Sequence, residues 1–104
     1  MTLRRIEILL PLNYNDGRAV ERRKFMVTNR ELLDQFGALT TDSVEIQGTW
    51  KYGAALYHDR LVRLTIDAHN PEEAVLFFRE YKETLKSRFE QVDIWITAHD
   101  VEVI

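Results

Sequence analysis

The chain has 104 residues, of which 45% are hydrophobic and 30% charged, with no cysteine and a formal net charge of −3. That length suits one domain, residues 1–104, with a single modest core, and the composition is too apolar for a disordered chain. The lack of cysteine excludes disulfides, thiolate metal sites and thiol nucleophiles, while the acidic balance argues against a broad nucleic-acid footprint, which needs Lys and Arg gathered on one face.

Residues 4–12 form the first predicted strand, with Ile6, Ile8 and Leu10 alternating against Arg5, Glu7 and Leu9 until Pro11 ends regular pairing. Two arginines before a short apolar run imitate a signal peptide, but Glu7 interrupts a run too short for an apolar signal core. Nor does any apolar run approach the ~18 residues of a membrane span. A cytoplasmic bacterial or archaeal protein is the expectation. Asn13, Tyr14, Asn15, Asp16, Gly17 and Arg18 follow, all tolerant of turn conformations except the tyrosine and arginine. A turn of this kind can aim backbone amides at an anion beside a helix start. Asn13, Asn15, Asp16, Gly17 and Arg18 are therefore the candidate ligand-binding set.

Residues 20–36 read as a helix whose apolar face is Phe25, Leu32, Leu33 and Phe36, stopped by Gly37. Its first turns hold Arg22, Arg23 and Lys24 beside Glu21, where the helix dipole favours acids over bases. Residues 43–52 are a second strand, with Val44, Ile46, Gly48, Trp50 and Tyr52 on one side and Gly48 marking a bulge or bend. A connection through Gly53, Ala54 and Ala55, then Leu56, Tyr57, His58 and Asp59, makes a β-hairpin with Tyr52, Tyr57 and His58 at its tip. Residues 60–68 are the third strand and the best patterned: Val62, Leu64, Ile66 and Ala68 oppose Arg63, Thr65 and Asp67.

Asn70, Pro71, Glu72 and Glu73 suit the N-cap, N1 and first turn of a second helix, which carries Ala74, Phe77, Phe78, Tyr81, Leu85 and Phe89 along one face. A last strand sets Ile94, Ile96 and Ala98 against Asp93, Trp95, Thr97 and His99 before the tail Val101, Val103 and Ile104. The order βαββαβ predicts an α+β, ferredoxin-like fold: a four-stranded antiparallel sheet, first and third strands central, with both helices on one face. Ile6, Ile8, Leu10, Val62, Leu64, Ile66, Val44, Ile46, Trp50, Ile94 and Ile96 should then face the helices. The other face should carry cross-strand ion pairs among Arg5, Glu7, Arg63 and Asp67.

That outer face lacks the central aromatics an RNA-recognition sheet requires and the apolar lining of ligand-enclosing dimeric α/β-barrels. His58, His69 and His99 stand at no chelating spacing, and Ser43 and Ser87 lie in no nucleophile elbow. No cofactor motif is present. The fourth strand lies at a sheet edge and residues 94–98 hold neither charge nor proline, which leaves the edge open to another strand. A homodimer is expected, with Trp95, Val101, Val103 and Ile104 at the interface. The alternative is a tail that folds back over Trp95 within one chain.

Phe36-Gly37, Gly48-Thr49-Trp50 and Ile94-Trp95-Ile96 resemble the pattern of small uncharacterised bacterial proteins of ferredoxin-like plan, a resemblance that brings no function. Asn13-Tyr14-Asn15-Asp16, Arg22-Arg23-Lys24 and the helix ending Phe36-Gly37 resemble the first half of the small CRISPR-associated nucleases of ferredoxin-like fold. That resemblance implies dimerisation and metal-dependent cleavage through an acid at the end of the first strand. Leu12 and Asn13 stand there in this chain, and Asp16 is the nearest acid. The reading favoured by the residues is a non-enzymatic, self-associating domain that binds a protein partner or a small anion. The alternative is a metal-dependent nuclease or phosphate-handling enzyme.

Overall fold

A computed structural model describes residues 1–42 and 45–104, so Ser43 and Val44, expected at the start of the second strand, lie outside the described residues. The elements are β1 (Thr2–Pro11), α1 (Arg22–Phe36), β2 (Thr40–Thr41), β3 (Ile46–Tyr52), β4 (Ala55–Ala68), α2 (Pro71–Arg88) and β5 (Trp95–Glu102). The fold is ferredoxin-like, with a five-stranded antiparallel sheet in which β1 and β4 are central, β5 forms one edge, and β2 and β3 both pair with β4 along the other. One expected edge strand is thus built as two. Thr41 stands opposite Leu64 and Ile46 opposite Leu61, so the register against β4 shifts by two residues between the pieces.

The β1–β4 ladder sets Ile6 against Ile66, Ile8 against Leu64 and Leu10 against Val62, all on the helix side as the alternation requires. These strands pack with Leu32 of α1, Ala74, Phe78 and Leu85 of α2, and Phe89 and Ile94 beyond it. Leu64 is 1% exposed, and burying a side chain of its size is worth roughly 1.5–3 kcal/mol. α2 begins as its sequence predicts: the Asn70 side chain accepts from the Glu73 amide at 3.1 Å, Pro71 follows, and Glu72 and Glu73 complete the first turn.

Three expectations are corrected. First, Ile46 and Trp50 face away from the helices. The β3–β4 turn is only Gly53 and Ala54, with φ of 62° at Gly53 and no left-handed Ala54, the pattern of a II′ hairpin. Tyr52 therefore lies opposite Ala55, Trp50 opposite Tyr57 and Ile46 opposite Leu61; paired residues share a face, and Leu61 belongs with Arg63 and Thr65. Tyr57 and His58 consequently lie within the ladder rather than at the tip. Second, α1 buries Thr28 in place of Leu33, which is 43% exposed. Phe25, Thr28, Leu32 and Phe36 fall at spacings of three, four and four, and Leu33 stands one residue off that stripe. Third, β5 continues through Asp100 and Glu102, so the tail stays in the sheet and the Val103 amide donates to the Met1 carbonyl at 2.7 Å.

Buried Thr28 belongs to a polar clasp between the helices. Its hydroxyl donates to the Lys24 carbonyl at 2.8 Å and accepts from Arg88 at 2.8 Å, while Arg88 also meets Glu31 at 2.6 Å. The Tyr81 hydroxyl donates to Glu31 at 3.1 Å, and burial above all pushes its pKa up to about 12. Lys24, unfavourable for its own helix N-terminus, donates to the Arg88 carbonyl at 2.6 Å and so caps the C-terminus of α2. The chain then leaves α2 by a Schellman turn, with Gln91 N–H to the Lys86 carbonyl at 2.9 Å and Glu90 N–H to the Ser87 carbonyl at 3.3 Å. Its left-handed residue is Glu90, φ 53°, where glycine is usual. The carboxylate lies 3.7 Å from both Arg18 and Lys24, which offsets part of that strain.

The two sides of β4 make opposite predictions for adjacent residues. Leu64→Asp places an unpaired charge in the core and should leave the domain unfolded at neutral pH. Arg63→Asp loses only a half-exposed pair with Asp42 at 3.3 Å and should cost about 1 kcal/mol or less, as chemical denaturation followed by circular dichroism will read.

Candidate ligand site on the outer sheet face

The face of the sheet turned from the helices divides into two halves. At one end Arg5 and Asp67, direct partners across β1 and β4, form a bidentate pair at 2.8 and 2.9 Å, and the Arg5 hydrogen bond holds the Asp67 carboxyl below its ordinary value. This is the cross-strand pairing that the sequence predicts. At the other end the face is apolar. Leu9 of β1 lies opposite Trp95 of β5, and Pro11 lies opposite Leu61, which in turn faces Ile46 on β3.

Above this apolar end is a hollow of about 750 Å³, floored by Leu9, Pro11, Leu61 and Gly48 and walled by Trp50, Tyr52 and Trp95. Its size falls within the roughly 300–1,000 Å³ of small-molecule sites. Asp59, Lys51, Lys86, Gln91 and Asp93 supply polar groups at its margin. The hollow exists because the β3–β4 hairpin runs past the end of β1: β4 pairs with β1 only from Leu61 onward, while its first residues pair with β3 alone. The overhanging arm brings Trp50 round to the side where β5 begins.

Trp50 is held on two sides. Its ring stacks on Tyr57, with centroids 4.5 Å apart and planes at 19°, and its indole N–H donates to Asp59 Oδ2 at 2.6 Å. Trp95 is 64% exposed, so nothing among the described residues covers it. Asp93, across the hollow, is pushed up by burial, but the hydrogen bonds from Lys82 and the Ile94 amide outweigh this and leave its carboxyl below the ordinary value.

The loop at 13–18 lies apart from the hollow and is drawn together by its own hydrogen bonds. Tyr14 N–H donates to the Arg18 carbonyl at 2.8 Å, Gly17 N–H to the Tyr14 carbonyl at 2.9 Å, and Asn13 Nδ2 to the Gly17 carbonyl at 3.2 Å. Asp16 accepts from the Arg18 amide at 3.0 Å and from its guanidinium at 2.7 Å; the amide bond foremost, then the side-chain bond, holds the Asp16 carboxyl low. Asn15 is exposed at the tip. Asp16 thus stands where an anion would meet Arg18. Buried Tyr14 anchors the loop, with Arg18 4.6 Å and Lys24 4.7 Å from its ring centre and its hydroxyl on Glu21.

Of the four residues assigned to an interface, Trp95 lines the hollow, Val101 is half-buried opposite Leu3 on the outer face, and Val103 and Ile104 are exposed. Trp95 and Val101 are six positions apart on one strand, about 20 Å at the rise of an extended chain. The tail therefore does not fold back over Trp95, contrary to the single-chain alternative. His58 and His99 lie on separate strands and His69 follows β4; among the described residues, no three His, Asp or Glu side chains gather closely enough to hold a metal ion. No helix among them is long and apolar enough to cross a membrane.

The sequence pattern does not reveal the hollow, because strand alternation joined to the fold plan places Trp50 and Ile46 on the helix side. The turn at Gly53-Ala54 was the signal that could have found it, since a two-residue hairpin pairs even-numbered positions with odd ones.

Fold and site together define a ferredoxin-like α+β domain with an aromatic-walled hollow on the bare face of its sheet. The chain matches no protein-family model and none of the curated proteins, so neither resemblance noted above is supported beyond its ferredoxin-like plan. Among solved structures it is similar to a phage SAM lyase in complex with S-methyl-5'-thioadenosine, with TM-score 0.70 and 12% identity over 97% of this chain and 90% of that one. The apo state of a phage SAM lyase matches at TM-score 0.68 and 13% identity, over 98% and 90% of the two chains. A point mutant of CutA1 from Pyrococcus horikoshii OT3 matches at TM-score 0.59 and 13% identity, over 97% and 85%. The likeness is one of fold.

Whether the loop holds an anion, as its sequence predicts, can be read by phosphate titration. Because Asp16 occupies the Arg18 donors, phosphate should move the Gly17 and Arg18 amide resonances far more in Asp16→Ala than in the native chain, as a titration followed by NMR will measure.

Proposed function

We propose that the chain is a self-associating small-molecule-binding domain and that its ligand, of the nucleoside thioether class, occupies the hollow on the outer sheet face. The observation that carries this reading is the paired restraint on Trp50. An indole stacked on Tyr57 and hydrogen-bonded to Asp59 at the wall of a 750 Å³ hollow is a preformed aromatic surface, so little side-chain freedom is lost when a ring packs on it. The floor of Leu9, Pro11 and Leu61 suits an apolar substituent. Support for the ligand class comes from the phage SAM lyase of the same fold, solved in complex with S-methyl-5'-thioadenosine.

Self-association fits the same region. β5 is an edge strand, and Trp95 at its start leaves a large apolar area in water. A homodimer through this edge, with Trp95 as its anchor, would cover that area, since aromatic side chains dominate interface energetics.

Two measurements test these proposals. Calorimetric titration with S-methyl-5'-thioadenosine should show saturable binding that Trp50→Ala weakens by roughly ten-fold or more, in keeping with about 1–3 kcal/mol for stacking one base; no binding by the native chain would overturn the ligand assignment. Sedimentation at micromolar concentration should show a native dimer that Trp95→Ala dissociates. A monomeric native chain, or a dimer indifferent to that change, would overturn the self-association.

A further inference from the structure

Resting on the hollow as a nucleoside-class site, we infer that Asp59 selects the ligand's ring: the hollow takes a planar heteroaromatic ring that bears an exocyclic amine, stacked on Trp50 with that amine directed at Asp59. Trp50 lines the hollow while Tyr57 covers one face of its indole, leaving the other face for a ring. Gly48 lies two residues earlier on the same side of β3. A Cβ there would approach Leu61 Cδ1 to 3.1 Å, so Leu61 packs over the glycine and gives the strip beside the indole a low apolar floor. A flat ring can lie there.

Asp59 is the cross-strand partner of Gly48, which sets its carboxylate beside that strip. One oxygen, Oδ2, accepts the indole N–H at 2.6 Å; the other has no hydrogen-bond partner among the described residues. An ionised carboxylate only accepts, so its second oxygen rewards an N–H on the ring edge with a charge-assisted bond and gives nothing to a C–H. Because the first oxygen is anchored to Trp50, the same carboxylate that orients the stacking surface also fixes the direction from which the amine is read. Ring stacking and amine recognition are thereby tied to one side chain. The chemical class that satisfies both is an amino-substituted purine or a similar aminated ring.

A matched ligand pair and one substitution test this. S-methyl-5'-thioadenosine and its analogue with hydrogen in place of the 6-amino group would each be titrated calorimetrically into the native chain and into Asp59→Asn, with circular dichroism confirming that both proteins are folded. The native chain should bind the amino compound at least about ten-fold tighter, the scale of one charge-assisted hydrogen bond. Asn supplies one oxygen where two are used, so in Asp59→Asn the two affinities should converge. Equal native affinities, or a preference that survives in Asp59→Asn, would overturn selection by Asp59 and leave the hollow as a binding site. If neither compound bound the native chain, the assignment of the hollow itself would fall, and this inference with it.

Discussion

The pairing of β1 with β4 in a single register is the constraint on which the rest of the molecule depends. Ile8 opposite Leu64, with Ile6 opposite Ile66 on one side and Leu10 opposite Val62 on the other, puts six apolar side chains under the helices. A shift of one residue would turn either Arg5 and Glu7 of β1 or Arg63 and Asp67 of β4 into that core, so hydrophobic burial and charge solvation enforce the same register. The bidentate bond between Arg5 and Asp67 closes on the opposite face only because that register holds.

Once the sheet is set, the helices have little freedom in how they meet it. Arg88 joins Thr28 and Glu31 across the helix pair and Tyr81 within its own helix, and Lys24 caps the end of α2 from the start of α1. A basic first turn that is unfavourable for α1 alone becomes intelligible as a favourable last turn for its neighbour. The left-handed Glu90 has a similar logic, since a glycine would relax the backbone but could not reach Arg18 and Lys24. Loop 13–18, the start of α1 and the end of α2 are consequently one electrostatic unit around buried Tyr14.

The outer face carries the functional interest because the hairpin arm outruns β1. Where three strands lie side by side, the exposed surface is closed by ion pairs and needs no partner. Past the end of β1 the ladder has only two strands, and the face there is Gly48, Trp50 and Tyr57, adjoining Ile46, Leu9, Pro11 and Trp95. Apolar surface of this kind, with carboxylates at its margin and a fixed indole in its wall, is what the proposal of a ligand there rests on. Asp59 links the two roles of the arm, for it both positions Trp50 and faces the hollow.

Much of this was determined by sequence alone, wherever the deciding interaction lies within a few residues or in strict alternation. The central strands, the Asn70 cap, the Gly37 stop at φ 82° and the edge position of the last strand all follow from such local patterns. The Arg5–Asp67 pair was legible too, because both residues sit on the polar side of strands that the fold makes neighbours. What only the tertiary structure decided was which face of the sheet Ile46 and Trp50 join, that Thr28 rather than Leu33 is buried, and that residues 100–102 remain in β5. Alternation separates the two sides of a strand but does not say which side is inward; the two-residue turn at Gly53-Ala54 settles that by pairing even positions of β3 with odd positions of β4. Thr28 is buried because a hydroxyl that is apolar by no scale finds Arg88, sixty residues away, and a hollow forms at Trp50 because two strands of unequal length were laid together. Those are contacts between distant segments, and no local pattern carries them.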